Sequence, residues 1–156
     1  VTSEDLQAVL EAGRWTGSAK NRQGWAFIVV DEGADRERLA TAGDFTGPLL
    51  AAPLAIVLVR RPSGNDFDLG RVAQNMMLAA AARGLGSCPV TLHRREEAHA
   101  ILELPEGYEA LWSIALGYPD ETEEPDQRRQ AAAMGLTGRR PLAQLVHHGR
   151  FGNPFV

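Results

Sequence analysis

The chain is nearly free of cysteine. Cys88 stands alone, so there is no disulfide framework, and a reducing compartment, the cytoplasm, is the expected location. A basic surplus is also missing. Sixteen Lys and Arg face 20 Asp and Glu, a net charge of −4, which leaves no electrostatic footprint for nucleic acid. No apolar run approaches the ~20 residues that cross a bilayer, so no membrane partner is expected. Nothing near Val1 reads as a signal peptide. Repeats are absent, and the four histidines (His93, His99, His147, His148) show no ligand spacing with Cys88, so no metal site is expected. The first residue is Val1 rather than Met, and some N-terminal residues are expected to have been removed. What remains is an ordinary globular composition, 44% hydrophobic and 23% charged over 156 residues, consistent with one domain spanning 1–156.

The pattern along the chain alternates helical and extended signals. Ser3 followed by Glu4 and Asp5 predicts a helix start, and Leu6, Val9 and Leu10 share one face up to Gly13. Trp25–Val30 predicts a strand stopped at "DEGAD", followed by a short helix over 34–42 with Leu39 inward. "PLAIVLVRR" at 53–61 predicts a core strand, and "PSGND" a turn. The longest helix is predicted over 67–85: Leu69, Val72, Ala73, Met76 and Ala80 fill one face, and Met77, Leu78 and Ala81 make another apolar. A helix apolar on most sides is buried on several, which predicts contact with a second subunit. Further strands are expected at 87–92 and 110–118, with short helices at 93–102 and 141–147. The acidic "PDETEEPDQ" reads as a solvated stretch, and the tail "FGNPFV" as one lying on another surface. With no regular βαβ series, the fold class is α+β.

One stretch carries more chemistry than a loop requires. Residues 13–25 read "GRWTGSAKNRQGW". Asn21 and Gln23 each offer an acceptor and two donors in one plane and can pair with the edge of a pyrimidine-like ring. Arg14, Lys20 and Arg22 add positive charge, which would stabilise a reduced, anionic flavin. By composition alone a polar turn that caps backbone groups and faces water explains the same residues. Cys88 reads as a small buried filler, since no His or Asn partner for a nucleophile is indicated. "GLGS" follows a helix and lacks a Lys-Ser/Thr ending, so it is no phosphate loop. Trp112 reads as core, and Trp15 as core or a ring-stacking group.

"GSAKNRQGW" followed by a strand resembles the flavin signature of the nitroreductase family. "FDLGRVAQNMMLAAAARGLGSCPVTL" at 67–92 resembles its central helix and following strand, "LWSIALGYP" at 111–119 its glycine–tyrosine–proline strand end, and "GRRPLAQLVH" at 138–147 its C-terminal arginine–proline segment. The resemblance implies a nitroreductase-like fold, with a central, mainly antiparallel sheet flanked by helices. It also implies a homodimer with FMN at the subunit interface, and ping-pong transfer from NAD(P)H to a nitroaromatic, quinone or similar small acceptor. Carried over by position, Ser18, Asn21 and Gln23 would meet the ring or ribityl chain, with Arg14 and Lys20 as further contacts. Backbone groups of Pro89, Val90 and Thr91 would approach the ring, and Arg139 or Arg140 would reach the phosphate. The segment 44–50, with Phe45, is expected to line the substrate pocket.

Two features depart from the family pattern. Gly24 stands where proline is usual, which is expected to loosen the turn. The arginine-rich phosphate-binding segment that usually precedes the first helix does not appear, which is expected to weaken FMN binding. The same fold also hosts flavin-linked dehydrogenation, dehalogenation and flavin breakdown. A flavin-binding dimer without catalysis is a further alternative.

Overall fold

The computed structural model describes residues 1–120, 122 and 124–154, which divide into two compact units, Val1–Pro119 and Asp120–Val156. The first unit is built on a four-stranded sheet. Its strands are β1 (Trp25–Val30), β2 (Leu54–Arg60), β3 (Gly86–Thr91) and β4 (Glu109–Gly117), in the order β1-β2-β4-β3 with every pairing antiparallel. Five helices accompany it: α1 (Ser3–Arg14), α2 (Gly33–Ala40), α3 (Gly47–Ala51), α4 (Asp66–Ala82) and α5 (Arg95–Ile101).

The run "LAIVLV" of β2 explains the layering. Side chains alternate across a strand, so an unbroken apolar run requires cover on both faces. Leu54, Ile56 and Leu58 pack with Val9 of α1 and with Leu69, Val72 and Met76 of α4. Ala55, Val57 and Val59 pack on the other side with Leu39 of α2, Leu49 of α3 and Ala98 of α5. The α1–α4 crossing is close at Gly13, where an added Cβ would lie 2.8 Å from Phe27 and 2.9 Å from the Met76 sulfur. Leu39 is fully buried, as expected.

Most elements fall where the sequence places them, shifted by one to three residues at the ends. The cap of α1 is Thr2, whose hydroxyl accepts the Asp5 N–H, rather than Ser3. Asn65 caps α4 in the same way, accepting the Asp68 N–H at 2.9 Å. The helix α3 lies in the segment expected to line a pocket, and no helix was read there. In α4, Leu69, Val72, Met76 and Ala80 are buried, but Phe67 and Leu78 on the opposite side are 76% and 58% exposed. Cys88 is exposed on β3 rather than a buried filler, and desolvation holds its thiol above the ordinary value. Trp112 packs partly buried against the α1–α4 core, whereas Trp15 is 76% exposed.

The second unit differs most from expectation. Helix α6 (Glu124–Ala133), which the sequence does not predict, begins within the acidic stretch expected to be solvated. The helix expected at 141–147 is only a 3₁₀ turn, Leu142–Gln144. His147 bridges Pro154, and its ring centroid lies 4.3 Å from that of Phe151. The last two residues of the tail lie outside the described residues. Among the described residues of this unit none is buried, and Met134, Leu136, Leu142, Leu145 and Phe151 are exposed. Among the described residues no helix is long and apolar enough to cross a membrane.

Asp5 ties three elements of the first unit together. Its carboxylate accepts hydrogen bonds from the Tyr118 hydroxyl just beyond β4 (2.7 Å), from Thr2 (2.7 Å), and from the Arg83 guanidinium at the end of α4. Tyr118, then Thr2 and Arg83, hold its carboxyl down at about 2. A folded-state value below the unfolded one stabilises the fold above the unfolded pKa, and that stability is lost as pH falls through the folded value. Asp5→Asn is therefore expected to lower the melting temperature at neutral pH. In thermal scans of both proteins the difference should shrink between about pH 4 and pH 2.

Candidate functional site

The amide-rich stretch forms a turn between α1 and β1. After Thr16, which is 4% exposed, Ser18 leads into a 3₁₀ turn, Ala19–Asn21. Lys20, Asn21 and Gln23 all take positive φ (54°, 52° and 48°). For non-glycine residues such a conformation costs about 1–3 kcal/mol each, less for Asn, and it persists only where the surroundings impose it. The Ser18 hydroxyl accepts the Gln23 N–H at 2.9 Å, and the Ser18 carbonyl accepts the Asn21 N–H at 3.0 Å. The Gln23 side-chain amide donates to Asn21 Oδ1 at 3.1 Å. This leaves Asn21 Nδ2 and Gln23 Oε1 without a protein partner among the described residues. An outward donor beside an outward acceptor fits the C=O/N–H edge of an imide ring.

Gly24 closes the turn by contact rather than by ring stiffness. Its carbonyl accepts the Arg61 N–H at 3.0 Å. A Cβ placed on Gly24 would lie 2.3 Å from Gly64 Cα, and one on Gly64 would lie 2.1 Å from the Gly24 oxygen. The two glycines therefore let the 61–65 turn touch the backbone of the amide stretch, and this contact stands where the family's proline would act.

The other expected residues are distributed. Arg14 is engaged with Glu11 through two nitrogens (2.7–3.0 Å) and lies 4.8 Å over Trp15. Glu11 raises the Arg14 pKa, and Arg14 lowers that of Glu11. Lys20, the chain's single lysine, has no hydrogen-bonding or ionic partner among the described residues. A cleft of about 530 Å³ between α1 and β1 brings Arg14, Gln23 and Arg61 to walls formed by Leu10, Trp25 and Phe27.

Pro89 instead lines a separate apolar pocket of about 240 Å³, with Leu58, Leu69, Ala73 and Trp112. Thr91 shares the face of Pro89, whereas Val90 points into the opposite core at 3% exposure. Because β3 is an edge strand, its outer backbone groups have no ladder partner among the described residues. Phe45, 82% exposed, sits edge-on to His93 with ring centroids 6.3 Å apart. Arg139 and Arg140 are exposed in the second unit, where Arg139 donates to the Gly138 carbonyl at 2.7 Å. Among the described residues of the first unit, no single cleft gathers the expected ligands. Sequence reasoning missed Arg61, Gly64 and Arg71. The turn signal of "PSGND" places Gly64 in a turn without showing what it touches.

A sequence model described as the Nitroreductase family matches residues 1–43 and 47–118. The chain belongs to the nitroreductase family. Its fold is similar to that of an FMN-dependent nitroreductase from Clostridium difficile R20291, with 31% identity, a TM-score of 0.69 and coverage of 78% of either chain. In sequence it is similar to an NADPH-flavin oxidoreductase of Vibrio harveyi, 29% identical over 151 residues. That match covers 84% of this chain but only 63% of the relative's length. The structure of an NADPH:FMN oxidoreductase from Vibrio harveyi complexed with NAD+ shares the fold, with a TM-score of 0.81, 23% identity and coverage of 98% of this chain and 70% of that one. The expected nitroreductase-like fold, an antiparallel sheet flanked by helices, is thus the observed one. The glycine contact in this family member is directly testable. Gly24→Ala is expected to cost about 1–3 kcal/mol through overpacking, read as a lowered urea midpoint. An unchanged midpoint would show that the 61–65 turn gives way freely.

Proposed function

We propose that the chain is an FMN-dependent oxidoreductase that takes reducing equivalents from NAD(P)H. By a ping-pong sequence it passes them to nitroaromatic, quinone or similar small acceptors. The observation that carries this reading is the turn at 18–23, held in an uncommon conformation with an amide donor and a carbonyl acceptor left facing outward. Bound FMN supplies the two-electron chemistry between donor and acceptor.

The chain's own residues supply binding and charge. Ser18, Asn21 and Gln23 hold the ring edge or ribityl chain. Lys20, unpaired among the described residues, and Arg14, already paired with Glu11, favour the reduced, negatively charged ring. Backbone groups of Pro89, Val90 and Thr91 approach the ring, and Arg139 or Arg140 takes the phosphate, bidentate geometry favouring arginine there. The nitroreductase domain spans 1–156 and works as a homodimer with FMN at the interface. That reading is supported by the exposed Phe67 and Leu78 on α4 and by the dispersal of the expected ligands over separate clefts.

The test is to add FMN to purified protein, follow the visible spectrum anaerobically on addition of NADH or NADPH, and measure the mass in solution against the 16.9 kDa chain. FMN binding, bleaching by the nucleotide and a doubled mass are expected; no binding would overturn the reading. Asn21→Ala is expected to weaken FMN by about tenfold, the equivalent of one lost hydrogen bond, in a flavin-fluorescence titration.

A further inference from the structure

We propose that Arg71, on α4, is a positioning residue that keeps the 17–23 turn in its binding shape; for the cofactor this rests on the FMN reading above. Arg71 Nη1 donates to the Gly17 carbonyl at 2.9 Å. The absence of a side chain at Gly17 lets the guanidinium lie close, since a Cβ there would be 3.4 Å from Nη2. Asp68, one helical turn back and 7% exposed, aims the guanidinium at a distance of 3.4 Å. Asp68 is itself fixed, accepting 2.8 Å from the Asn65 side-chain amide and donating its own N–H to Asn65 Oδ1. Along the same helix, Asn75 donates to the buried Thr16 hydroxyl at 2.9 Å.

The consequence runs through Ser18. The Gly17 carbonyl belongs to the peptide that precedes Ser18, so anchoring it fixes where the Ser18 hydroxyl sits. That hydroxyl accepts the Gln23 N–H and so spans the three positive-φ residues. Releasing Gly17 lets Ser18 turn away from Gln23, and the strained residues relax toward ordinary conformations that scatter the two amides. The Arg61 and Gly64 contacts hold only the Gly24 end. Arg71 therefore supplies the hold at the entry of the turn, reaching the Gly17 carbonyl from a half-exposed position on α4.

Lys20 and Arg22 make the turn its own reporter, because trypsin cleaves after both. The full chain, Arg71→Met and Arg71→Lys are digested without FMN and the cleavage sites mapped by mass, alongside thermal scans and FMN titration. Arg71→Met is expected to speed cleavage after Lys20 and Arg22 several-fold, with cleavage at the other arginines and the melting temperature nearly unchanged. FMN affinity should fall by about tenfold. Arg71→Lys, which still donates to the Gly17 carbonyl, should recover much of both. Unchanged cleavage in the turn overturns the proposal, as does uniform acceleration at all sites with a collapsed melting temperature. If Arg71→Met loosens the turn but the parent protein takes up no FMN, the positioning role stands and the cofactor reading falls.

Discussion

Strand β2 has no polar face, and the rest of the first unit answers to that constraint. Six consecutive apolar residues, Leu54 to Val59, are almost wholly buried. A sheet built around such a strand needs helices on both sides, which sets α1 and α4 against one face and α2, α3 and α5 against the other. It also compresses the link from α1 to β1. The chain must leave a helix on one face and enter the sheet at its edge within Trp15–Gly24, and this short passage becomes the candidate site.

That passage is held at both ends by groups distant in sequence. The Gly24 backbone meets Gly64 and the Arg61 amide, while Gly17 meets Arg71. Three residues in positive φ are tolerable only because both ends are pinned and Ser18 bridges the middle. The outcome is a hydrogen-bonded pair of side-chain amides beside a lysine unpaired among the described residues, arranged before any ligand arrives. Such preorganisation lowers the ordering cost of binding. The glycine contact also changes the meaning of Gly24: where a proline would act through its ring, one backbone packs against another.

The fold was largely legible from the chain because its signals are periodic and local. The apolar runs of β1, β2 and β4 and the i, i+3, i+4 faces of α1 and α4 report burial directly. Legibility failed where such periodicity is missing. Helix α3 has five residues and begins with Gly-Pro, and α6 starts in acidic sequence with little apolar periodicity. Of the short helix expected at 141–147, only one 3₁₀ turn forms. Cys88, expected to be a small buried filler, lies on an edge strand whose exposure depends on strand order.

By itself the sequence determined the α+β class, the membership signalled by the motifs within residues 1–118, and the chemical character of the 18–23 turn, since donor, acceptor and charge are properties of residue type. Only the tertiary structure decided which of those groups remain unpaired among the described residues, and that Gly64 and Arg71 support a turn 40 and 54 residues earlier. The physical reason is that pairing and close approach are set by three-dimensional distance. Side chains on α4 and a glycine in a remote turn acquire their roles only when sheet and helices pack against each other.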